Sequence, residues 1–341
     1  MSVSLPWLIG HESQFPIDKT KLIEFHNRKY VFWRDQDNVI QALPNACPHN
    51  GGSLANGFVK YDNKVSCVRC PFHNQLFDGI GHWHNDNYLP DKVKDPKPLI
   101  TPLDIINDRG MIWAYVPNKA GNKITIPNFD HILSDSSISF NTMVEPRLIN
   151  SKFEKILKIS YDYDHVDGTH YPYFGITDFE LLSFNWNGID ITSRVSYLFE
   201  KRTLKEKLLS PVFFFLPNNV EQNVSLFFPT LFVVNNKIKQ GNFFTIFYFY
   251  PVNDKQSMIG SLIYDTMPKW SNKILQKSAQ KSANMIITQD MEETERQEDV
   301  QSLISLKYDH IWKKAILMYE DYNNNTLVID TQKQRIYNPT Q

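Results

Sequence analysis

Two short loops that each combine a cysteine with a histidine constrain this sequence more than any other feature. They are Cys47-x-His49 and Cys70-x-x-His73, and twenty residues lie between them. Thiolates and imidazoles are metal ligands, so the two loops together offer two sulfur and two nitrogen donors. This set suits either a structural zinc ion or a [2Fe–2S] cluster in which histidines replace two cysteines on one iron.

The order of the ligands separates these two possibilities. In zinc fingers the cysteines usually share one knuckle and the histidines share the other. Here each loop carries one ligand of each kind, and this favours the [2Fe–2S] cluster over zinc. Gly51 and Gly52 follow the first loop, and Gly79 and Gly81 follow the second. They predict tight turns that bring backbone N–H groups toward the cluster sulfurs.

A second candidate metal site lies in the C-terminal half, in the pattern Asp162-x-x-His165-x-x-x-x-His170. On an unbroken helix the two imidazoles would point in different directions, because their spacing does not match the helical repeat. Gly168 and Pro172 predict a bend in the backbone that turns both imidazoles inward. Two histidines need an anionic third ligand to complete the facial triad of a non-haem Fe(II) site, which leaves coordination positions open.

The third ligand is expected from an acidic helical stretch between residues 289 and 297. Asp290 is the favoured ligand there. Glu293 competes with it, because an acidic helix offers several carboxylates and a run of charges is usually only a solvated face. A pair of histidines alone is more often structural than metal-binding, but its presence beside the first motif favours a metal site.

Together with Phe77-Asp78-Gly79 after the second loop, these motifs resemble those of the Rieske non-haem iron oxygenases, the ring-hydroxylating oxygenase alpha-subunit family. The resemblance covers nearly the whole chain, whose length is similar to that of the small, alpha-only monooxygenases. Respiratory Rieske proteins differ, since they carry a further cysteine in each loop where this chain has Gly52 and Phe72.

The resemblance implies a role for each residue of the two motifs. The ligands of the Rieske [2Fe–2S] cluster would be Cys47, His49, Cys70 and His73. The ligands of the mononuclear Fe(II) would be His165, His170 and Asp290. Catalysis would also require Asp162, because an aspartate at this place in the family carries electrons from the cluster to the iron.

In this family the bridging aspartate contacts a cluster histidine of the neighbouring subunit in a head-to-tail ring. The resemblance therefore implies that Asp162 contacts His73 of the partner subunit in a homotrimer. Asp164 is the alternative bridge if the helix register differs. The family often has asparagine four residues before the bridge, whereas this chain has Lys158. This departure affects the details of the electron path and not the iron ligands.

The pattern of hydrophobic residues predicts an α+β protein with two domains. Residues 1–119 are expected to form an all-β Rieske [2Fe–2S] domain, with strands at 29–33 and 110–115. Residues 120–341 are expected to form the catalytic domain, a curved antiparallel sheet with helices of the helix-grip or START-like kind. Its expected strands lie at 179–200, 223–235, 242–252 and 257–265, followed by a helix over 269–305.

Composition and charge exclude several other classes of protein. The net charge of −1 over 341 residues gives no indication of binding to nucleic acid or to an acidic membrane. Three cysteines, with two assigned to the cluster, leave only Cys67, so a disulfide framework is excluded and a reducing, cytoplasmic location is expected. Cys67 is expected to be a buried strand residue. No signal peptide or membrane-spanning segment is predicted.

The protein is expected to use O₂ to hydroxylate or demethylate a small, apolar or aromatic substrate. Monooxygenase activity is favoured over dioxygenase activity. No Gly-x-Gly-x-x-Gly loop is present, so NAD(P)H could act only through a separate reductase or ferredoxin. One alternative is a Rieske electron carrier or redox sensor without oxygenase activity. Another is a zinc-stabilised binding module, which would be colourless.

Three other features of the sequence carry weaker expectations. His82 and His84 are expected on a surface hairpin, with no role assigned. The apolar run 212–216 is expected to be a buried strand. Phe213 to Phe215 and the stretch 243–250 could line a substrate cavity, although packing in the core is the favoured explanation.

Overall fold

The computed structural model describes residues 2–84, 98–129, 138–200, 218–238, 241–266, 272–300 and 302–329. The chain divides into two compact units. The first unit comprises Pro6–Lys119 and Pro251–Asp254. The second unit comprises Met1–Leu5, Ala120–Tyr250 and Lys255–Gln341.

The N-terminal third of the chain consists of short strands. In chain order these are β1 (Val3–Ser4), β2 (Pro6–His11), β3 (Thr20–Phe25), β4 (Arg28–Arg34), β5 (Ile40–Pro44), β6 (Phe58–Asp62), β7 (Val65–Arg69), β8 (Leu76–Asp78), β9 (Trp83–His84), β10 (Ile105–Asp108), β11 (Met111–Tyr115) and β12 (Asn122–Lys123). Three antiparallel sheets result, in the orders β10-β11-β2, β3-β4-β5 and β6-β7-β8-β9. Strands β1 and β12 pair in parallel within the second unit.

The core of the first unit encloses the two cysteines of the loop motifs. Cys47 and Cys70 are buried among apolar side chains that include Trp33, Val68 and Phe77. The indole Nε1 of Trp33 donates a hydrogen bond to Ser66 at 2.9 Å, so its polar atom is satisfied inside the core. The apolar side chains of β4, β7 and β8 therefore hold the two loops against one core.

A seven-stranded antiparallel sheet forms most of the second unit. Its strands are β13 (Ser139–Ile149), β14 (Ile176–Asn187), β15 (Asp190–Phe199), β16 (Asn219–Phe227), β17 (Leu231–Ile238), β18 (Gly241–Asn253) and β19 (Gln256–Asp265). The order across the sheet is β13-β19-β18-β17-β16-β15-β14. The helices of the described residues in this unit are α1 (Phe153–Tyr161), α2 (Val166–Thr169), α3 (Tyr171–Phe174), α4 (Asn272–Arg296) and α5 (Asp309–Asn323).

Helix α4 is fixed to the edge strand β13 by hydrogen bonds as well as by packing. Arg147 of β13 donates to the hydroxyl of Thr288 at 3.0 Å, and Gln280 of the helix donates to the carbonyl of Met143 at 2.7 Å. These contacts span about two turns of the helix and fix its direction along the strand. The direction of α4 determines where Asp290 lies in the second unit.

The α+β fold class is confirmed, with a first unit made of strands and an antiparallel sheet with helices in the second. Most of the expected strands are present, but two of them are each divided into a hairpin. Residues 179–200 turn at Gly188, which has φ +62° after Asn187, and residues 223–235 turn between β16 and β17. An Asn-Gly pair is a strong hairpin signal, because both residues tolerate positive φ.

The expected helix over 269–305 is too long at its C-terminal end. Helix α4 ends at Arg296. Beyond it, Nζ of Lys155 donates a hydrogen bond to the carbonyl of Gln297 at 2.7 Å and forms an ion pair with the carboxylate of Asp299 at 3.0 Å. Helix α5 was not expected from the sequence. Residues 212–216 and Phe213 to Phe215 lie outside the described residues. In the part of the chain that the structure describes, no helix combines the length and the apolar character needed to cross a bilayer.

Candidate metal centres and cavity

The two Cys-His loops lie side by side in the first unit. Both cysteine side chains are buried, whereas His49 and His73 are exposed. The Nδ1 atoms of the two imidazoles approach each other to 3.1 Å, as two ligands of a single ion would. The structure therefore separates a buried sulfur side from an exposed imidazole side, which fits a cluster with two different irons.

Backbone hydrogen bonds close each loop around its cysteine. The amide of Cys47 donates to Gly52 O at 2.8 Å, and the amide of Gly51 donates to Cys47 O at 2.8 Å. In the second loop, the amide of Cys70 donates to Gln75 O at 2.8 Å. Gly51 has φ +73°, which confirms that the first turn uses the conformational freedom of glycine.

A side chain at Gly52 would crowd the cluster cysteine of the other loop. A Cβ atom at this position would lie 3.1 Å from the sulfur of Cys70. Burial raises the pKa of the Cys47 thiol, and the nearby Cys70 raises it further, although backbone N–H groups of His49 and Asn50 oppose the shift. Two adjacent buried thiolates need a positively charged centre between them, so these donors fit an iron–sulfur cluster.

Cys67 is buried in β7, as expected, and does not belong to the core cluster that contains Cys47 and Cys70. Burial and the neighbouring Asp78 raise its pKa to about 12, which keeps it a neutral thiol. His84, by contrast, is not a free surface histidine. Its ring contacts Asp78 at 2.9 Å through Nε2 and Asp62 at 3.1 Å through Nδ1.

The buried carboxylate of Asp78 explains this difference from the expected surface hairpin. It accepts hydrogen bonds from the backbone N–H of His82 at 2.8 Å and from the ring of His84. Burial lowers the pKa of His84, but its bonds to Asp78 and Asp62 outweigh burial and leave the pKa raised. The imidazolium form joins β9 to β6 and β8 and so supports the second loop.

His165, His170 and Asp290 converge in the second unit. One ligand atom from each residue lies within 4.8 Å of the others. Oδ1 of Asp290 is 3.7 Å from Nε2 of His165 and 3.5 Å from Nε2 of His170. Nε2 of His165 and Oδ1 of Asp290 are buried and have no hydrogen-bond partner among the described residues. Orphaned acceptors that face one another fit a bound metal ion.

Both imidazoles are held through Nδ1. The ring of His165 contacts the carbonyl oxygen of Asp162, and Nδ1 of His170 lies 3.1 Å from Oε1 of Gln289. A neutral imidazole that donates from Nδ1 has its lone pair on Nε2. Both Nε2 atoms are therefore available to a metal, and Gln289, which the sequence analysis did not identify, orients one of them.

Burial also sets the charges of this site. It raises the pKa of Asp290, although the two histidines oppose the shift, and it lowers the pKa of His165. A buried carboxylate beside two neutral imidazoles requires a cation for the ionised form to be stable. The donor set of two nitrogens and one carboxylate matches the facial triad of non-haem Fe(II) sites. His165, His170 and Asp290 could therefore hold an Fe(II) ion.

The bend that brings the two histidines together differs from the expected one. Residues Tyr163–His165 form a 3₁₀ turn, α2 follows, and His170 joins α2 to α3. Gly168 has no positive φ, and a Cβ there would meet no atom within 4 Å. The bend therefore comes from the succession of short helices, with Pro172 in the first turn of α3.

The competing carboxylates occupy different environments. Glu293 is exposed on α4 and is not part of the triad. The carboxylate of Asp164 accepts a hydrogen bond from the backbone N–H of Tyr308 at 2.7 Å. Asp162 caps the 3₁₀ turn by accepting from the backbone N–H of Asp164 at 3.0 Å, and its side chain lines a cavity. Burial raises the pKa of Asp162.

The cavity adjoins the triad inside the second unit and has a volume of about 220 Å³. Its lining includes His165, His170 and Asp290 at one place and mainly apolar side chains elsewhere. In the stretch 243–250, Phe243 and Phe247 line the cavity, while Phe244 and Tyr248 are buried on the other side of β18. Residues of this stretch thus alternate between the cavity and the core, as a strand requires.

Comparisons with known proteins agree with this architecture. A model of the Rieske [2Fe-2S] domain matches residues 6–96. Cholesterol 7-desaturase nvd 1 of Ciona intestinalis is 27% identical over 145 residues, which cover 42% of this chain and 29% of that protein. The oxygenase component of 3-ketosteroid-9-alpha-monooxygenase of Rhodococcus rhodochrous is 25% identical over 48% of this chain and 42% of its own length. The matched region thus spans less than half of each curated relative.

Solved structures share the fold over almost the whole chain. NdmA of Pseudomonas putida CBB5 with caffeine superposes with a TM-score of 0.70 at 13% identity, covering 98% of this chain and 96% of that one. Dicamba monooxygenase bound to dicamba gives a TM-score of 0.65 at 12% identity, and the match covers 94% of this chain and 96% of that one. The Rieske domain and the resemblance to Rieske non-haem iron oxygenases are confirmed.

Proposed function

We propose that this chain, which carries a Rieske [2Fe–2S] domain and the fold of Rieske non-haem iron oxygenases, is the terminal oxygenase component of such a system. It uses O₂ to hydroxylate or demethylate a small organic substrate that is largely apolar or aromatic. The observation that carries the proposal is the buried triad of His165, His170 and Asp290 beside an apolar cavity. An electron carrier needs neither the triad nor the cavity.

Residues 1–119 are assigned to the Rieske domain and residues 120–341 to the catalytic domain. The proposed cluster ligands are Cys47, His49, Cys70 and His73. The proposed iron ligands are His165, His170 and Asp290. When both centres are loaded, the cluster supplies single electrons and the ferrous ion activates O₂. The chain itself holds the ligands in place, excludes water from the cavity and places the substrate beside the triad.

Asp162 is the proposed bridge between the two centres. Each of the two carboxylates accepts one backbone N–H, but only Asp162 is among the described residues that line the cavity, and its carbonyl oxygen contacts His165. This favours Asp162 over Asp164. The partner of the bridge is His73 of the partner subunit, so the working assembly is a homotrimer. Light scattering should give the mass of three chains, and a monomer that turns over substrate would contradict the trimer.

Electrons are proposed to come from a separate reductase or ferredoxin. Two relatives are named as oxygenase components, which supports a system of several proteins. Relatives named as monooxygenases support monooxygenation over dioxygenation. A cytoplasmic location fits the three free cysteines, which are all buried thiols in the structure.

The Asp162→Ala variant tests the proposed path. Both metals should remain, because Asp162 contacts His165 only through its backbone carbonyl. Reoxidation of the reduced cluster by O₂ in the presence of substrate should slow strongly, as measured by stopped-flow absorbance. Asp164→Asn is the matched control, since asparagine keeps an acceptor for the N–H of Tyr308. Normal reoxidation in Asp162→Ala would place the bridge elsewhere, and loss of iron would make Asp162 a structural residue.

A further inference from the structure

Two amide side chains interrupt the apolar sheet wall of the cavity. Gln222 of β16 and Asn236 of β17 lie next to the paired residues Asn223 and Asn235, and the amide of Gln222 donates a hydrogen bond to the amide of Asn236. Both line the cavity. The remainder of this wall is mainly apolar and includes Val224, Leu226, Phe232, Val234, Phe243 and Phe247.

The hydrogen bond between the two amides leaves most of their capacity unused. Each amide has one carbonyl oxygen and one NH₂ group, and their mutual bond uses one donor and one acceptor. Whichever amide donates, the pair keeps a free carbonyl oxygen on one side chain and free N–H groups on the other. Partly buried amides require partners for these atoms. The sheet wall thus presents an acceptor beside a donor to whatever occupies the cavity.

A third polar atom on the opposite element supports the same conclusion. The hydroxyl oxygen of Ser282 in α4 is buried, lines the cavity and has no hydrogen-bond partner among the described residues. Ser282 lies on the cavity face of the helix with Ile286 and Asp290. At a rise of about 1.5 Å per residue, it is about 12 Å along the helix from Asp290. The hydroxyl of Ser282 is therefore available to a ligand at a point about two helical turns from the triad.

The charges of the lining limit the ligand further. Among the described lining residues there is no lysine or arginine, and the carboxylates are Asp162 and Asp290. Away from the triad, an anionic ligand would find no counter-charge among the described lining residues, which is unfavourable in an apolar cavity. Asp290 is committed to the triad, and Asp162 accepts from the N–H of Asp164. A neutral ligand is therefore the best match.

We propose that Gln222 and Asn236 select a neutral, largely apolar ring compound that carries a hydrogen-bond acceptor beside a donor, as a lactam does. The proposal rests on the oxygenase function only in taking this cavity as the substrate site. The two amides hold the lactam group, and the apolar side chains enclose the ring system. Selectivity follows because a hydrocarbon of the same shape would leave both amides unpaired.

Equilibrium dialysis of anaerobic protein carrying both metal centres tests this selectivity with three probes. Oxindole is a bicyclic lactam, indane is a hydrocarbon of the same shape, and phenylacetate is an anion. The wild-type protein should bind oxindole most tightly. Gln222→Leu and Asn236→Leu should each weaken oxindole binding about tenfold or more, because the remaining amide loses its partner. Binding of indane should stay the same or tighten.

Asn223→Leu is the matched control, because Asn223 is the exposed neighbour of Gln222 on the other face of β16. It should leave the binding of all three probes unchanged. The proposal is overturned if wild-type protein shows no preference for oxindole, if phenylacetate binds more tightly, or if the leucine variants weaken oxindole and indane equally. The readout needs no turnover. Selective binding by a protein that does not activate O₂ would refute the oxygenase function alone.

Discussion

The orientation of two imidazole rings determines whether the triad can hold iron. His165 is oriented by the backbone carbonyl of Asp162, which substitution of a side chain does not remove. His170 is oriented by the side chain of Gln289, at 3.1 Å from Nδ1. Partners of this kind fix the tautomer and the direction of the ligand nitrogen. Gln289 is thus the position at which this support can be tested.

Gln289→Leu should weaken the binding of mononuclear iron by roughly 10–100-fold, because His170 loses its acceptor and can rotate or change tautomer. Competition with a ferrous chelator measures this, while the visible absorbance of the cluster should stay unchanged. Gln289→Glu keeps an oxygen acceptor at the same place and should restore most of the affinity. Wild-type affinity in the leucine variant would refute the positioning role of Gln289.

The ligand residues could be predicted from the sequence, and their supporting residues could not. The ligands occur in short motifs whose spacing reflects local chain geometry, as in Cys47-x-His49. Gln289 acts on a histidine 119 residues away, and no local pattern marks such a contact. Gln222 and Asn236 give only a weak signal, as polar residues among the apolar side chains at alternate positions of β16 and β17. Their pairing depends on the register of β16 with β17.

Strands β6 and β7 approach closely just before the second cluster loop. Phe58 pairs with Arg69, and a Cβ at Gly57 would lie 1.9 Å from the carbonyl oxygen of Arg69. Gly57→Ala should therefore lower the free energy of unfolding by about 1–3 kcal/mol, as overpacking of a well-packed site does. Denaturant unfolding of the loaded protein measures this change.

Gly168→Ala is the control for Gly57→Ala. Gly168 lies in α2, with no atom within 4 Å of the position of its missing Cβ. Alanine should stabilise the protein there by up to about 1 kcal/mol, because it favours the helix. If the two alanine variants were equally stable, the close approach at Gly57 would not matter for the fold.

Strands and helices with a clear hydrophobic repeat could be predicted from the sequence, whereas the residues at which they end could not. The strand at 29–33 appears within β4, and the helix over 269–305 appears as α4. The helix prediction was wrong beyond Arg296, because the following residues make tertiary contacts with Lys155 in place of helical ones. The bend at His170 was predicted, but its cause is a succession of short helices and not Gly168.

Acid should destabilise the protein through two histidines of the first unit, the buried His11 and the half-buried His26, whose Nε2 is buried. Burial lowers the pKa of His26 from 6.5 to about 3 and that of His11 from 6.5 to about 4. The ring of His26 packs against Trp7 and Phe25, with centroids 4.7 and 4.6 Å away. In the unfolded chain both histidines have a pKa near 6.5. Between the folded-state pKa values of about 3 to 4 and this value, the unfolded state therefore binds more protons than the folded state.

The contribution of these histidines to stability is therefore complete above pH 6.5 and is lost as the pH falls toward about 3 to 4. Urea unfolding followed by tryptophan fluorescence at a series of pH values measures it. In His26→Asn the slope of the unfolding free energy against pH should be shallower, because asparagine tolerates the positive φ but takes up no proton. An unchanged slope would contradict the role of His26.

The order of the two motifs along the chain made the general architecture predictable. A cluster motif in an all-β region, followed by a histidine pair and an acidic helix, implied the α+β fold that is observed. The substrate was not predictable, because the cavity takes its lining from five strands, from helices α1 to α4 and from the residues between the short helices. Residues this far apart in sequence meet only in the folded chain.

The central claim is that one chain holds a Rieske cluster and a separate mononuclear iron, and electron paramagnetic resonance tests it most directly. Anaerobic protein is reduced with dithionite and exposed to nitric oxide. We predict a Rieske signal together with a high-spin iron–nitrosyl signal in wild-type protein and in Glu293→Ala, and loss of only the nitrosyl signal in Asp290→Ala. A Rieske signal alone in iron-replete wild-type protein would contradict the proposed oxygenase function and favour the function of an electron carrier.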